Sequence, residues 1–245
     1  MAGRAPLHAS LTAVGRGRSG PPRTLIRMEA LLAFAAALVA FRLAGNLAGR
    51  WRATRRAELA AWSVSLVAYA IAAAALAWGA AAGWNDEAFR VYYTCGALLT
   101  AALLGVGSLL LNGRRWAAPI GLLYAGFAIG VGISSPLTSH VAGTSIPEAQ
   151  DHLELVPARI VAIVGNSLGT LAVVVVALAT IRRRPVGNVL ILAGVACAAV
   201  GSAVAGLGVA QTALFIVLGV VLLYLGFLAQ GKNFVSSRLI RQRPG

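Results

Sequence analysis

The chain alternates between long apolar blocks and short polar stretches. A helix needs about 20 apolar residues to cross the ~30 Å hydrocarbon core of a bilayer. The blocks reach this length and are continuous, unlike the spaced apolar stripe of an amphipathic surface helix. The pattern therefore predicts an all-α fold, a polytopic bundle of seven transmembrane helices. The predicted spans are Glu29–Ala48, Leu59–Gly83, Phe89–Leu111, Trp116–Ser135, Arg159–Ile181, Val186–Val209 and Gln211–Gln230.

Polar segments lie on both sides of this bundle. Residues 1–27 contain five arginines and no acid, which predicts a disordered basic extension. The seven-helix domain then covers 28–231, and residues 232–245 form a basic tail. We expect Met28 to be the natural start, because arginines ahead of the first span would otherwise cross the membrane against the positive-inside bias. A cleaved signal peptide in place of the first span is the alternative.

Charge differs between alternate connections. Arginines follow the first, third and fifth predicted spans, and a basic tail follows the seventh. These arginines are Arg50, Arg52, Arg55, Arg56, Arg114, Arg115, Arg182, Arg183 and Arg184. The other connections carry acids, namely Asp86, Glu87, Glu148, Asp151 and Glu154. Because Lys and Arg near span ends stay in the cytoplasm, the sequence predicts an outside N-terminus and a cytoplasmic C-terminus.

Composition supports a membrane protein. Hydrophobic residues make up 59% of the 245 residues and charged residues 11%, and the mean hydropathy is +0.80. A soluble domain has about 25% charged residues. The net charge of +14 comes from arginines between apolar blocks, which argues against nucleic-acid binding. The Arg, Ala and Gly bias, with the single lysine Lys232, indicates a gene from high-GC bacteria, so we expect a multi-pass protein of a bacterial cytoplasmic membrane.

Catalytic and cofactor signatures are weak. The run at 165–169 fits GxSxG, but it lies inside an apolar block and not at the strand-to-helix turn that this motif needs. None of the histidines, His8, His140 and His152, falls in a predicted span, which argues against serine catalysis and against a haem held by two histidines. Lys232 follows the last span, so a retinal Schiff base is not expected. We predict neither enzyme activity nor a cofactor.

Small residues in the blocks favour packing. Gly165 and Gly169 have the GxxxG spacing that lets two helices approach closely in lipid. Cys95 and Cys197 both fall in apolar blocks and form no CxxC pair. We interpret these cysteines as packing residues, because free cysteine behaves as a small apolar side chain.

Polar residues inside spans mark the first candidate site. Arg42 and Asn46 lie one turn apart in the first span, and Asn166 and Thr170 have the same spacing in the fifth. At a rise of 1.5 Å per residue, Arg42 and Thr170 lie at similar depths in the membrane. The sequence therefore predicts a ligand pocket between these spans, for an anion or a lipid phosphate. The alternative for Arg42 is that its side chain reaches up to the headgroups.

The connection between the fourth and fifth spans is the longest. Ser145 and Glu148 form an S-x-x-E capping box, which predicts a short helix near Ile146–Leu155 with Leu153 and Leu155 facing the membrane. Glu148, Asp151 and His152 would then share one helix face, with His140 upstream. Carboxylate and imidazole groups in this arrangement predict a metal site formed by His140, Glu148, Asp151 and His152. A solvated polar face is the alternative.

Several stretches resemble a family of membrane proteins. They are 92–108, which begins YYTCG and ends in Gly-Ser, GNSLGT at 165–170 and RRRPVGNVLILAG at 182–194. Together they are similar to uncharacterised seven-helix integral membrane proteins of high-GC, actinobacterial-type bacteria. The resemblance covers most of residues 28–230 and implies the seven-helix fold without any activity.

Two classes of function follow from these patterns. The first is a sensory or partner-binding membrane module, associated with the lipid bilayer, with other membrane proteins or with further copies of itself. The second is a small-solute transporter, which needs a polar path and broken helices near the midplane. Pro119 is the single proline placed within a predicted span, which favours the first class.

Overall fold

The computed structural model describes residues 23–205, 218–223 and 225–226, and most of these residues are helical. The helices are α1 Arg23–Thr54, α2 Ala57–Ala82, α3 Asp86–Leu111, α4 Ala117–Ser134, α5 Ala149–His152, α6 Leu155–Thr180 and α7 Pro185–Ala205. Among the described residues, five helices are long and apolar enough to cross a membrane, namely α1, α2, α3, α4 and α6. The chain is thus a helical protein with the features of a membrane protein.

The first five predicted spans are confirmed as helices of membrane-spanning length. Helix α1 covers Arg23–Thr54 and so includes residues 23–27, which the sequence assigned to the basic extension. Helix α7 covers most of the sixth predicted span, although its apolar stretch Pro185–Cys197 is short. The seventh predicted span, Gln211–Gln230, lies largely outside the described residues. A count of seven spans and their orientation therefore remain predictions.

Short connections fold successive helices back on each other, so that the bundle has two distinct ends. The arginine end comprises the connections 55–56, 112–116 and 181–184, and the loop end comprises residues 83–85 and 135–154. Helix α3 is central, because it packs against α2, α4 and α6. Helix α1 packs on α2, and α7 packs on α6.

The buried apolar side chains form two clusters along the bundle. The cluster at the loop end includes Phe89, Tyr93, Leu98, Val131, Val141 and Leu153. The cluster toward the arginine end includes Leu43, Leu47, Trp62, Val173, Ala177 and Ile191. The first cluster draws on the long loop as well as on the helices, so the loop is part of the packed structure.

Glycines bring α3 and α6 into backbone contact. A Cβ added to Gly105 would lie 2.6 Å from the Cα of Gly169, and a Cβ on Gly169 would overlap the carbonyl of Ala101. A Cβ on Gly165 would overlap the hydroxyl of Tyr124 on α4. The predicted packing role of the GxxxG pair in α6 is therefore confirmed.

Helix α3 is wound more widely over Tyr93–Thr100, where it forms a π-helical segment. Such segments leave backbone carbonyls available, and in lipid these must find other donors. The Tyr124 hydroxyl of α4 donates to the Leu98 carbonyl at 2.7 Å, and the Ser65 hydroxyl of α2 donates to the Thr100 carbonyl at 2.7 Å. The segment is thus held by side chains from two neighbouring helices.

Candidate functional site at the loop end

Asp86 joins the start of α3 to the long loop. Asn85 caps the helix by accepting a 2.7 Å hydrogen bond from the amide of Ala88, which places Asp86 in the first helical turn. One carboxylate oxygen of Asp86 accepts a hydrogen bond from the amide of Val141 at 2.8 Å, and the other lies 2.8 Å from His140 Nδ1. An acid in a first turn is also stabilised by the positive end of the helix dipole.

Arg90, one turn after Asp86, joins α3 to the end of α4. Its guanidinium Nη1 donates to the carbonyls of Ile133 at 3.2 Å and of Ser135 at 2.7 Å, with a longer contact to Gly132 at 3.3 Å. A cation stabilises the unpaired carbonyls at a helix C-terminus. Asp86 and Arg90 therefore connect the loop, α3 and α4 in sequence.

The long loop is closed by contacts between its two arms. The amide of Thr138 donates to the carbonyl of His152 at 3.0 Å, and Leu137 forms a bridge with Leu153. The amide of Trp84 donates to the carbonyl of Gly143 at 2.7 Å, which anchors the tip of the loop to the end of α2. The loop is thus a folded layer over the ends of the helices.

A polar groove opens between this layer and α3. Its volume is about 340 Å³, and its lining is Asp86, Arg90, Leu137, Thr138, Ser139 and His140. The side chain of His140 is 97% exposed at the rim, whereas that of Asp86 is 35% exposed. The groove combines an acid, a guanidinium and an imidazole, so it offers charges of both signs to a small polar solute.

Ser139 and His152 also form a close pair, with Oγ and Nδ1 2.8 Å apart. A serine nucleophile would need the imidazole nitrogen to accept the hydroxyl proton. Here the Ser139 hydroxyl also lies 3.0 Å from the carbonyl of Asp151, to which it can donate, so it has a second acceptor besides Nδ1 of His152. The ring of His152 packs edge-on against Phe89, with centroids 5.5 Å apart. These contacts connect the two arms of the loop to each other and to α3.

The four residues predicted as a metal site, His140, Glu148, Asp151 and His152, do not converge. His140 pairs with Asp86, while His152 pairs with Ser139. Within the described ranges, no group of three or more His, Cys, Asp or Glu side chains could hold a metal ion. The predicted cluster is therefore corrected to two separate hydrogen-bonded pairs.

The reason lies in the length of α5, which covers only Ala149–His152. Glu148 occupies its N-cap in an extended conformation without a capping hydrogen bond, so the predicted capping box is wrong and Glu148 shares no helix face with the two residues of α5. Leu153, predicted to face the membrane, is instead buried in the apolar cluster at the loop end. Leu155, predicted to face the membrane together with Leu153, is 51% exposed.

The predicted pocket between the first and fifth spans is not assembled. Arg42 and Asn46 are exposed on α1, on the side opposite its contact with α2. Thr170 is exposed on α6 and Asn166 is half-buried. The glycine face of α6 packs on α3, so α1 does not bring its polar residues to Asn166 and Thr170.

Sequence reasoning missed the contacts that build the loop-end site. Asp86 and His140 belong to different predicted connections, 54 positions apart, and their pairing depends on the fold. Arg90 lies at the start of the third predicted span, Phe89–Leu111. A usable signal was the i, i+4 spacing of Asp86 and Arg90 in the first turns of α3.

Comparison of the chain with protein-family models, with curated proteins and with solved structures finds no match. The geometry of the described residues is therefore the basis for the functional proposal.

Proposed function

We propose that the chain is a non-enzymatic multi-pass protein of a bacterial cytoplasmic membrane that acts as a sensory or partner-binding module, with the loop-end groove as its sensing element. The observation that carries this proposal is the continuous set of contacts from the loop through Asp86 to α3, and through Arg90 to the end of α4. A change at the groove can thereby reach two membrane helices.

His140 gives the groove a way to respond. Its side chain is almost fully exposed, and its ion pair with Asp86 exists only while the imidazole is protonated. Histidine is the side chain that gains or loses charge near neutral pH. Asp86 and Arg90 are the charged groups lining the groove beside His140, and Glu87 is the next acid on α3. Asp86 thus holds the loop through two contacts, one with the imidazole of His140 and one with the amide of Val141, and only the first involves a titratable partner.

The main alternative is a small-solute transporter. Such a protein needs a polar path through the middle of the membrane. The backbone contact between Gly105 and Gly169 leaves no room for such a path between α3 and α6. This contact favours the sensory or partner-binding module.

A probe on the loop tests the proposal. Thr144 is exposed, so we would replace it with cysteine in a Cys95→Ala, Cys197→Ala background and attach an environment-sensitive fluorophore. Protein in nanodiscs, with both faces accessible, would be titrated from about pH 8 to about pH 5. We expect a pH-dependent change in emission for the otherwise unchanged protein.

Two variants decide the outcome. Asp86→Asn should abolish the pH response, because the amide cannot form the ion pair with His140. Glu87→Gln is the matched control, since it removes an exposed neighbouring acid that does not line the groove, and it should respond as the parent does. A pH response in Asp86→Asn equal to that of the parent would contradict the proposal.

A further inference from the structure

One face of α1 has no partner among the described residues. The buried side of α1 carries Ala40, Leu43, Ala44 and Leu47. On the opposite side lies a set of exposed residues that we call the α1 seam, namely Leu31, Ala35, Leu38, Arg42, Gly45 and Gly49. Their spacing alternates between four and three, and this 3.5-residue period is typical of a helix that packs along a second helix.

The seam is open where another helix backbone would approach. No atom lies within 4 Å of a Cβ added to Gly45 or to Gly49. These two glycines have the GxxxG spacing that permits close contact between helices in lipid. The buried glycines Gly105 and Gly169 show how this protein uses such positions inside its bundle, since there they bring two backbones together.

Charge identifies the kind of helix that fits. Arg42 is exposed on the seam, about 12 Å along the helix axis from Arg50 at the arginine end. Neither ion pair found among the described residues involves Arg42. A cation at this depth is costly in lipid and is stabilised by a carboxylate partner. Asn46, exposed beside the seam, offers a hydrogen bond to the same partner.

We propose that the α1 seam docks a transmembrane helix of another membrane protein, and that this helix carries an Asp or Glu at the depth of Arg42. The inference rests on the proposed role as a partner-binding module and names the chemistry of the partner. A second copy of this chain fits less well, because a two-fold contact on the seam brings Arg42 close to its own counterpart. A lipid phosphate would bind Arg42 only, and it would not explain the open positions at Gly45 and Gly49.

The test uses synthetic transmembrane peptides as probes. A Leu-Ala peptide with one Asp at its centre would be compared with matched peptides carrying Asn or Leu there, all labelled with an acceptor fluorophore. The donor-labelled full-length protein would be reconstituted with each peptide in phosphatidylcholine vesicles at neutral pH. We expect the Asp peptide to associate at least about tenfold more tightly than the Leu peptide.

Variants separate the contributions of charge and shape. Arg42→Leu should abolish the preference for Asp over Leu, and Arg42→Lys should retain part of it. A Gly45→Leu, Gly49→Leu double variant should weaken association with every peptide. The matched control is Gly126→Leu with Gly130→Leu on α4, because these glycines are also exposed with open space around them.

Three results would overturn the inference. They are equal association of the Asp and Leu peptides, an Arg42→Leu variant that keeps the Asp preference, and self-association through the glycines without any preference among peptides. A pH response of the loop probe combined with any of these results would leave the proposed function standing and remove only the docking surface.

Discussion

Replacing Gly105 by alanine should push α3 and α6 apart. The added Cβ would lie 2.6 Å from the Cα of Gly169. Carbon atoms in contact prefer about 3.5–4.0 Å, so the helices must separate by about 1 Å. Overpacking of this kind costs about 1–3 kcal/mol. Alanine in place of glycine also favours the helix by about 1 kcal/mol, which partly hides the packing cost.

A matched variant removes this ambiguity. Gly126 on α4 is also helical, but nothing lies within 4 Å of a Cβ added there, so Gly126→Ala reports the helix preference alone. The free energy of unfolding of both variants would be measured by SDS titration in mixed micelles with circular dichroism. We expect Gly105→Ala to be less stable than Gly126→Ala by about 1–3 kcal/mol. A difference within about 0.5 kcal/mol would refute the backbone contact.

Three other predictions concern the loop, the π segment and the topology. Asp86→Asn should speed cleavage of the long loop by a Glu-specific protease, whereas Glu87→Gln should not, and equal rates would count against the role of Asp86 in docking the loop. Tyr124→Phe removes the donor to the Leu98 carbonyl at 2.7 Å and should lower the unfolding free energy by about 1 kcal/mol; unchanged stability would show that this hydrogen bond does not hold the π segment. Alkaline phosphatase fused at the C-terminus should be inactive and fused at Thr144 active, and the reverse would invert the predicted orientation.

The helices could be predicted from the sequence because their signal is local. A continuous apolar block of membrane length leaves the backbone few options other than a helix. The bounds of α2 and α4 could therefore be predicted closely. The role of Gly165 and Gly169 in packing was also visible, since their spacing places both on one face. The helix on which they pack could not be predicted, because the motif carries no information about its partners, Ala101 and Gly105 of α3.

The polar contacts could not be predicted, because they depend on tertiary structure. The wide turns at Tyr93–Thr100 show no proline or charge in the sequence, and they are held by donors from other helices. The metal prediction assumed a helix long enough to align Glu148 with His152, but α5 is a single turn. The predicted pocket depended on Arg42 and Thr170 lying at the same depth. Equal depth does not determine the direction in which each helix face points, so the two faces need not meet.

The contact between Gly105 and Gly169 also has a mechanical consequence. Gly105 lies about 9 Å along the axis from Leu111 at the arginine end of α3, and about 28 Å from Asp86 at the loop end. Because two backbones meet there with no side chain between them, this contact is the natural pivot for any tilt of α3 against α6. If α3 tilted about that point, its loop end would move about three times as far as its arginine end. A movement of α3 at the groove would therefore reach the arginine end of the bundle reduced to about a third of its size.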